Sequence, residues 1–182
     1  MRTYTSTYSS VFHTYIHTYN NLHHHSKYLV VDCVEESFHF TALMHAVVFD
    51  DDALVRILLR LDPDPFILNG NGRNALFIAA ERGCVSILQL LFDFYSGSGS
   101  GDEDTTGRSA KYSMHVHSPV CQDANTTALH VAALYDRPTV VSYLIRQRGA
   151  DPHKRDGQGR TPLDRAKESG SKSAEQLLLT LT

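Results

Sequence analysis

A chain of 182 residues, 42% of them hydrophobic and 20% charged, is long enough to bury one continuous core and has an ordinary globular composition. No run approaches the ~18 apolar residues of a membrane span, and a net charge of -3 argues against general nucleic-acid binding. Three cysteines (Cys33, Cys84, Cys121) leave one unpaired in any disulfide scheme; with no apolar leader, they read as reduced thiols of a cytoplasmic or nuclear protein.

Residues 1–28 stand apart, built from Thr, Ser, Tyr and His, with no acidic residue before Asp32. They read as a low-complexity, disordered N-terminal tail. Two other readings stay open: a helix whose Tyr8, Phe12, Tyr15 and Tyr19 share a face, and a transit peptide, against which Arg2 is the lone arginine. His23, His24 and His25 form a solvated tract or a metal-binding run, without cysteines at zinc-finger spacing. From residue 29 the chain enters one domain that runs to 182. Its apolar opening, Tyr28-Leu29-Val30-Val31, reads as extended, and Glu36 takes the place that Asp156 holds later.

Helices are expected at 42–49 and 52–60, the second with Leu54, Val55, Leu58 and Leu59 on one face. Asp50-Asp51-Asp52 lies between them and reads as a helix cap; it lacks the spacing and terminal Glu of a calcium loop. A turn follows, with Asn69 and Gly72 aligning with Asp156 and Gly159. The next pair is expected at 75–82 and 85–93, burying Ile87, Leu88, Leu91 and Phe92, with Cys84 as a small packing residue. Residues 96–121, opening on Ser96-Gly97-Ser98-Gly99, read as a flexible insertion. A third pair is expected at 128–135 and 138–146, with Val140, Val141, Leu144 and Ile145 inward, and a fourth at 162–168 and 173–179 with a polar outer face.

The pairs share an opening. Thr127-Ala128-Leu129-His130-Val131-Ala132 recurs as Thr41-Ala42-Leu43-Met44-His45-Ala46, as Asn74-Ala75-Leu76-Phe77-Ile78-Ala79 and as Thr161-Pro162-Leu163-Asp164-Arg165-Ala166. Thr41 to Asn74 is 33 residues, Thr127 to Thr161 is 34, and Asn74 to Thr127 is 53, one period plus an insertion of 20. The surplus residue of the third unit falls near Arg146-Gln147-Arg148. Asp64-Pro65 and Asp151-Pro152 keep the same register. The chain resembles the ankyrin repeat family, whose signature is Thr-Pro-Leu-His-x-Ala opening the first of two helices in a 33-residue unit. The resemblance implies an all-α solenoid of helix-turn-helix layers joined by β-hairpin-like loops. Its four repeats would span about 36–68, 69–95, 122–155 and 156–182.

In that family a His such as His130 hydrogen-bonds locally and holds the turn. The resemblance also implies a non-catalytic module that binds another protein on its concave face, through hairpin positions and the last turn of each first helix. Here those are Gly70, Asn71, Arg73, Glu81, Arg82, Asp123, Thr126, Leu134, Tyr135, Gly157, Gln158 and Arg160, with Val48 and Phe49 in the matching place of the first repeat. Arg73, Glu81, Arg82, Tyr135, Gln158 and Arg160 are the partner-binding candidates; Tyr135 and the arginines lead, since those residue types carry most interface energy. A second reading is an anionic partner: residues 146–172 hold eight Lys and Arg against four Asp and Glu, an excess of +4. No glycine-rich phosphate loop or nucleophile elbow supports an enzyme or a cofactor. His115, His117 and Cys121 come nearest to a metal set, without a fourth ligand. A monomer without membrane or nucleic-acid contact is expected.

Overall fold

The computed structural model describes residues 32, 34, 37–96, 114–122 and 125–181. The readings made for residues 1–31, for Cys33, for Glu36, for Asp123 and for residues 97–113 lie outside the described residues.

Among the described residues the chain forms four helix pairs: α1 (Ala42–Val48) with α2 (Asp52–Leu59), α3 (Ala75–Arg82) with α4 (Val85–Tyr95), α5 (Ala128–Leu134) with α6 (Pro138–Arg148), and α7 (Pro162–Ser169) with α8 (Lys172–Leu181). Each first helix packs on the first helix of the next pair, and each second helix on the next second helix. The segments opening at 41, 74, 127 and 161 are therefore consecutive layers of one stack.

Backbone handedness fixes the register. Each layer has a left-handed residue at its hairpin tip (His39, Gly72, Asn125, Gly159) and another at its helix–helix turn (Asp50, Gly83, Asp136, Gly170). The two are 11 residues apart in every layer. Glycine takes this conformation without penalty, and Asn and Asp tolerate it best among the rest. Asp50-Asp51-Asp52 thereby divides its labour. Asp50 makes the turn (φ 55) and Asp51 caps α2, its side chain accepting from Leu54 N–H at 2.9 Å. The surplus residue of the third layer is taken up within α6. Asp51 to the left-handed Asp62 is 11 residues, whereas Arg137 to the left-handed Gly149 is 12.

The first helices start alike. Thr41, Asn74 and Thr161 accept from the backbone N–H three residues on, at 3.2, 2.9 and 3.2 Å. Leu43, Leu76 and Leu129 with the small Ala46, Ala79, Ala80, Ala132, Ala133 and Ala166 are buried between layers, which lets the first helices approach closely. The second helices bury larger side chains. Ile87, Leu88, Leu91 and Phe92 are at most 2% exposed, and each such residue contributes about 1.5–3 kcal/mol. In the first layer Leu54 and Leu58 are half-buried, and in the third Ile145 alone of its quartet is, while Tyr143 joins the core.

Residues 114–121 belong to the stretch read from composition as a flexible insertion, yet with Gln122 they are seated between layers two and three. Met114 and Val120 are buried; Val120 N–H donates to Thr126 O, Asn74 N–H to Val120 O, and Gln122 N–H to Gly72 O. The two ends of the stack differ. On the last layer Lys167, Glu168, Lys172 and Gln176 are exposed. The first described layer instead shows Phe38, Ile57 and Leu61 to solvent.

Candidate functional site

The occupant of the fourth position of the opening motif changes along the stack: Met44, Phe77, His130, Asp164. His130 is buried and fully engaged. Thr127 N–H donates to its Nδ1 at 3.2 Å, which leaves Nε2–H as donor to the carbonyls of Lys154 (3.0 Å) and Arg160 (3.2 Å) in the following hairpin. Burial holds its pKa below the ordinary value, against the raising effect of those carbonyls and of Asp156. The ring is thus a neutral strut between layers three and four.

A testable consequence is that His130→Leu costs about 2 kcal/mol, read from the urea midpoint at pH 7.5, because the part-buried Lys154 carbonyl loses its donor and the Arg160 carbonyl keeps only the Asp156 N–H. The sign of the pH effect follows from the depressed pKa. Below about 6.5 the unfolded state binds a proton that the folded state refuses. This contribution is complete above that pH and declines as the pH falls, a slope that His130→Leu removes.

Where layer two has Phe77, the contact is aromatic. Phe77 meets Tyr135 edge-on, centroids 6.3 Å apart, and the Arg73 guanidinium lies 4.6 Å above the Phe77 ring. Arg73 Nη1 donates to Glu81 Oε1 at 3.0 Å, and Nη2 to Tyr135 Oη at 3.4 Å. Burial first, then Glu81, pushes the Tyr135 phenol above its usual pKa, so it stays a neutral hydroxyl. Arg137 Nε–H donates to Glu81 O at 2.7 Å. Three of the six candidates, Arg73, Glu81 and Tyr135, are therefore one network spanning layers two and three.

Beside it runs a groove of about 250 Å³, lined among others by Arg73, Phe77, Gln122, Thr126, Tyr135 and Arg165. It lies on the first-helix and hairpin side of layers two to four. Arg82 and Gln158 are exposed outside it, and Arg160 does not line it but binds Asp156 and Glu168, at 3.1 and 3.2 Å. Asp123, among the wider candidates, is outside the described residues.

Arg165, Gln122 and Phe77 line the groove and were not among the sequence candidates. For Arg165 a signal existed. It occupies the fifth position of the opening motif, where the buried Ile78 and Val131 stand in other layers, so a charge there departs from the apolar pattern. Gln122 is brought in by residues 114–121, which the buried Met114 and Val120 anchor to the stack.

Among the described residues no three His, Cys, Asp or Glu side chains are grouped to hold a metal ion, His115, His117 and Cys121 included. Cys84 is buried, and desolvation and its neighbour Asp50 push the thiol up to about 12, which removes the thiolate a nucleophile needs. No described helix is long and apolar enough to cross a membrane.

A family model described as ankyrin repeats (3 copies) matches residues 12–104, and a second, ankyrin repeats (many copies), matches 118–166. The chain belongs to the ankyrin repeat family. It is 32% identical over 147 residues to the B-cell lymphoma 3 protein homolog of Mus musculus, covering 80% of this chain and 29% of that protein. It is 42% identical over 67 residues to the E3 ubiquitin-protein ligase hecd-1 of Caenorhabditis elegans, covering 37% of this chain and 2% of the relative. A third likeness, 25% over 181 residues, is to the potassium channel AKT1 of Arabidopsis thaliana, covering 74% of this chain and 21% of the channel. The chain spans less than a third of the length of each of these relatives. Ankyrin repeats generally mediate protein–protein interactions, and this array shares that architecture.

Proposed function

We propose that this ankyrin stack is a non-catalytic interaction module that holds a partner protein on its concave, first-helix face, across layers two to four. The observation that carries the reading is the Arg73–Phe77–Tyr135–Glu81 network. Two aromatic rings and a guanidinium are fixed across a layer boundary at the mouth of a groove, the residue types that dominate interface energy, with their rotamer entropy already spent.

The test is capture of partners from native lysate by the full chain, then by Arg73→Ala and Tyr135→Ala, with Arg56→Ala on the exposed side of α2 as control. Both groove variants are expected to lower recovery of the specific partner by about tenfold or more, and the control by little. Recovery unchanged in both groove variants would refute the reading.

The second reading, an anionic partner on the basic C-terminal repeats, draws less support. Arg148 is paired with Asp93, outside the basic stretch, and Arg165 and Arg160 are held by Asp156 and Glu168 within it, so three of its eight cations are already engaged by carboxylates. A steep fall of binding with salt would favour it; salt-tolerant capture favours the protein-binding reading.

A further inference from the structure

The groove has more hydrogen-bond donors than the fold uses. Arg165 is held from behind: its Nε–H donates to Asp156 Oδ2 at 2.8 Å, and the Asp156 side chain is fully buried. The two terminal nitrogens of Arg165 take no partner among the described residues, and Arg165 lines the groove. Its side chain is 13% exposed, so these nitrogens are fixed and only partly hydrated. Thr126 is the second unused donor. It lines the same groove, is 3% exposed, and carries the one buried side-chain oxygen among the described residues that lacks a hydrogen-bond partner. Arg73 adds a second cation to the lining, whereas no carboxylate lines it; Glu81 and Asp156 stand outside.

Resting on the protein-binding reading above, we propose that the groove takes the side-chain carboxylate of a Glu or Asp on the partner protein, with Arg165 as its forked reader. A guanidinium anchored through Nε presents two parallel N–H groups, which match the two oxygens of a carboxylate. A cavity of about 250 Å³ has the volume of roughly eight waters at ~30 Å³ each, enough for one acidic side chain. A monoanion fits better than a phosphoryl dianion. Glu81 and Asp156 already neutralise Arg73 and Arg165 in part, so a second negative charge on the ligand meets them without a free cation to offset it.

The experiment is a titration of the full chain, labelled with nitrogen-15, followed by NMR. The probes are glutamate, glutamine and phosphoserine, each blocked as its N-acetyl amide, and N-acetylglycine as a terminal carboxylate. Blocked glutamate is expected to bind saturably in the millimolar range and to shift Gly72, Gln122 and the Arg165 Nε–H, with blocked glutamine about tenfold weaker. Arg165→Lys should weaken blocked glutamate by about tenfold, because the single ammonium is spent on Asp156, while the resonances of Ile87 and Leu88 stay in place and report an intact stack. Thr126→Val is expected to weaken binding a few-fold and to raise Tm, since it removes an unpaired buried hydroxyl.

Equal binding of blocked glutamine, tighter binding of phosphoserine or N-acetylglycine, indifference to Arg165→Lys with the stack intact, or no shift at these residues would overturn the proposal. These outcomes are separable from failure of the protein-binding reading, which shows as partner capture insensitive to Arg73→Ala and Tyr135→Ala.

Discussion

Asp156→Ala is expected to lower the stability of the chain by about 3–5 kcal/mol, the cost of removing one member of a buried charged cluster. The carboxylate is the hub of the last hairpin. Its Oδ1 accepts from the backbone N–H of Gln158 and Arg160, both at 2.9 Å, and its Oδ2 from Arg165 Nε at 2.8 Å and Arg160 Nε at 3.1 Å. Deletion strands two backbone donors and leaves two guanidinium groups without their shared counter-ion. Asn69 occupies the equivalent tip in layer two and accepts only from the backbone of Asn71 and Arg73, so a neutral residue suffices where no arginine must be held. Asp156→Asn should accordingly recover the backbone bonds and not the arginine bonds, a loss of about 1–3 kcal/mol.

The pH dependence of Asp156 has the opposite origin to that of His130 and a lower window. Burial alone would raise its pKa; the N–H groups of Arg160 and Gln158 and the guanidinium groups of Arg165 and Arg160 outweigh it and hold the group at about 2, against 3.8 unperturbed. The folded state therefore releases this proton more readily than the unfolded state. The resulting ~2 kcal/mol is present above about pH 5 and is lost as the pH falls through 4 toward 2. The stability gap between the parent and Asp156→Ala, from urea midpoints at pH 7, 4 and 2.5, should narrow by roughly 1.5–2 kcal/mol at the acid end. A constant gap across that range would contradict the assignment.

The stack was legible in the chain because ankyrin layers repeat their constraints. A cap, a small residue for close helix approach and a left-handed turn recur at 33 or 34 residues once the insertion is set aside, and four weak signals in one register make a strong one. The helix ends were read less well. Val85–Tyr95 and Pro138–Arg148 each extend two residues past their expected ends, since Tyr95 and Arg148 find tertiary partners that local pattern does not reveal. Tyr95 Oη donates to Pro63 O at 2.6 Å, and Arg148 joins Asp93 and Tyr143. The groove was half legible. Arg73, Glu81 and Tyr135 were picked by position within the repeat, and they meet. Arg165 was passed over as one charge of a basic cluster, because pairing with Asp156 joins the last hairpin to α7, and composition does not record which neighbours face each other.

Met114→Ala is expected to cost about 2–4 kcal/mol, whereas a residue in a solvated loop would change stability by less than about 0.5. The sequence favours the loop. Met114, Val116 and Val120 sit in a polar stretch, where the alternation of Tyr112, Met114 and Val116 is the one trace of a period. Their burial comes from tertiary structure alone. Met114 is 1% exposed, with its N–H on Tyr95 O at 3.4 Å, at the end of α4. Six residues on, Val120 is wholly buried and its backbone ties Asn74 to Thr126, the residues where layers two and three begin. Cys121 then pairs with Arg73 in an isolated antiparallel bridge, which positions the guanidinium at the groove mouth. Loss of the Met114 side chain leaves a cavity that this short, irregular segment can close only by shifting Val120 and, through it, Arg73. A fall in the urea midpoint should therefore come with changed resonances for Gly72 and Tyr135. A variant with an unchanged midpoint would show that residues 114–120 lie on the stack without holding it together.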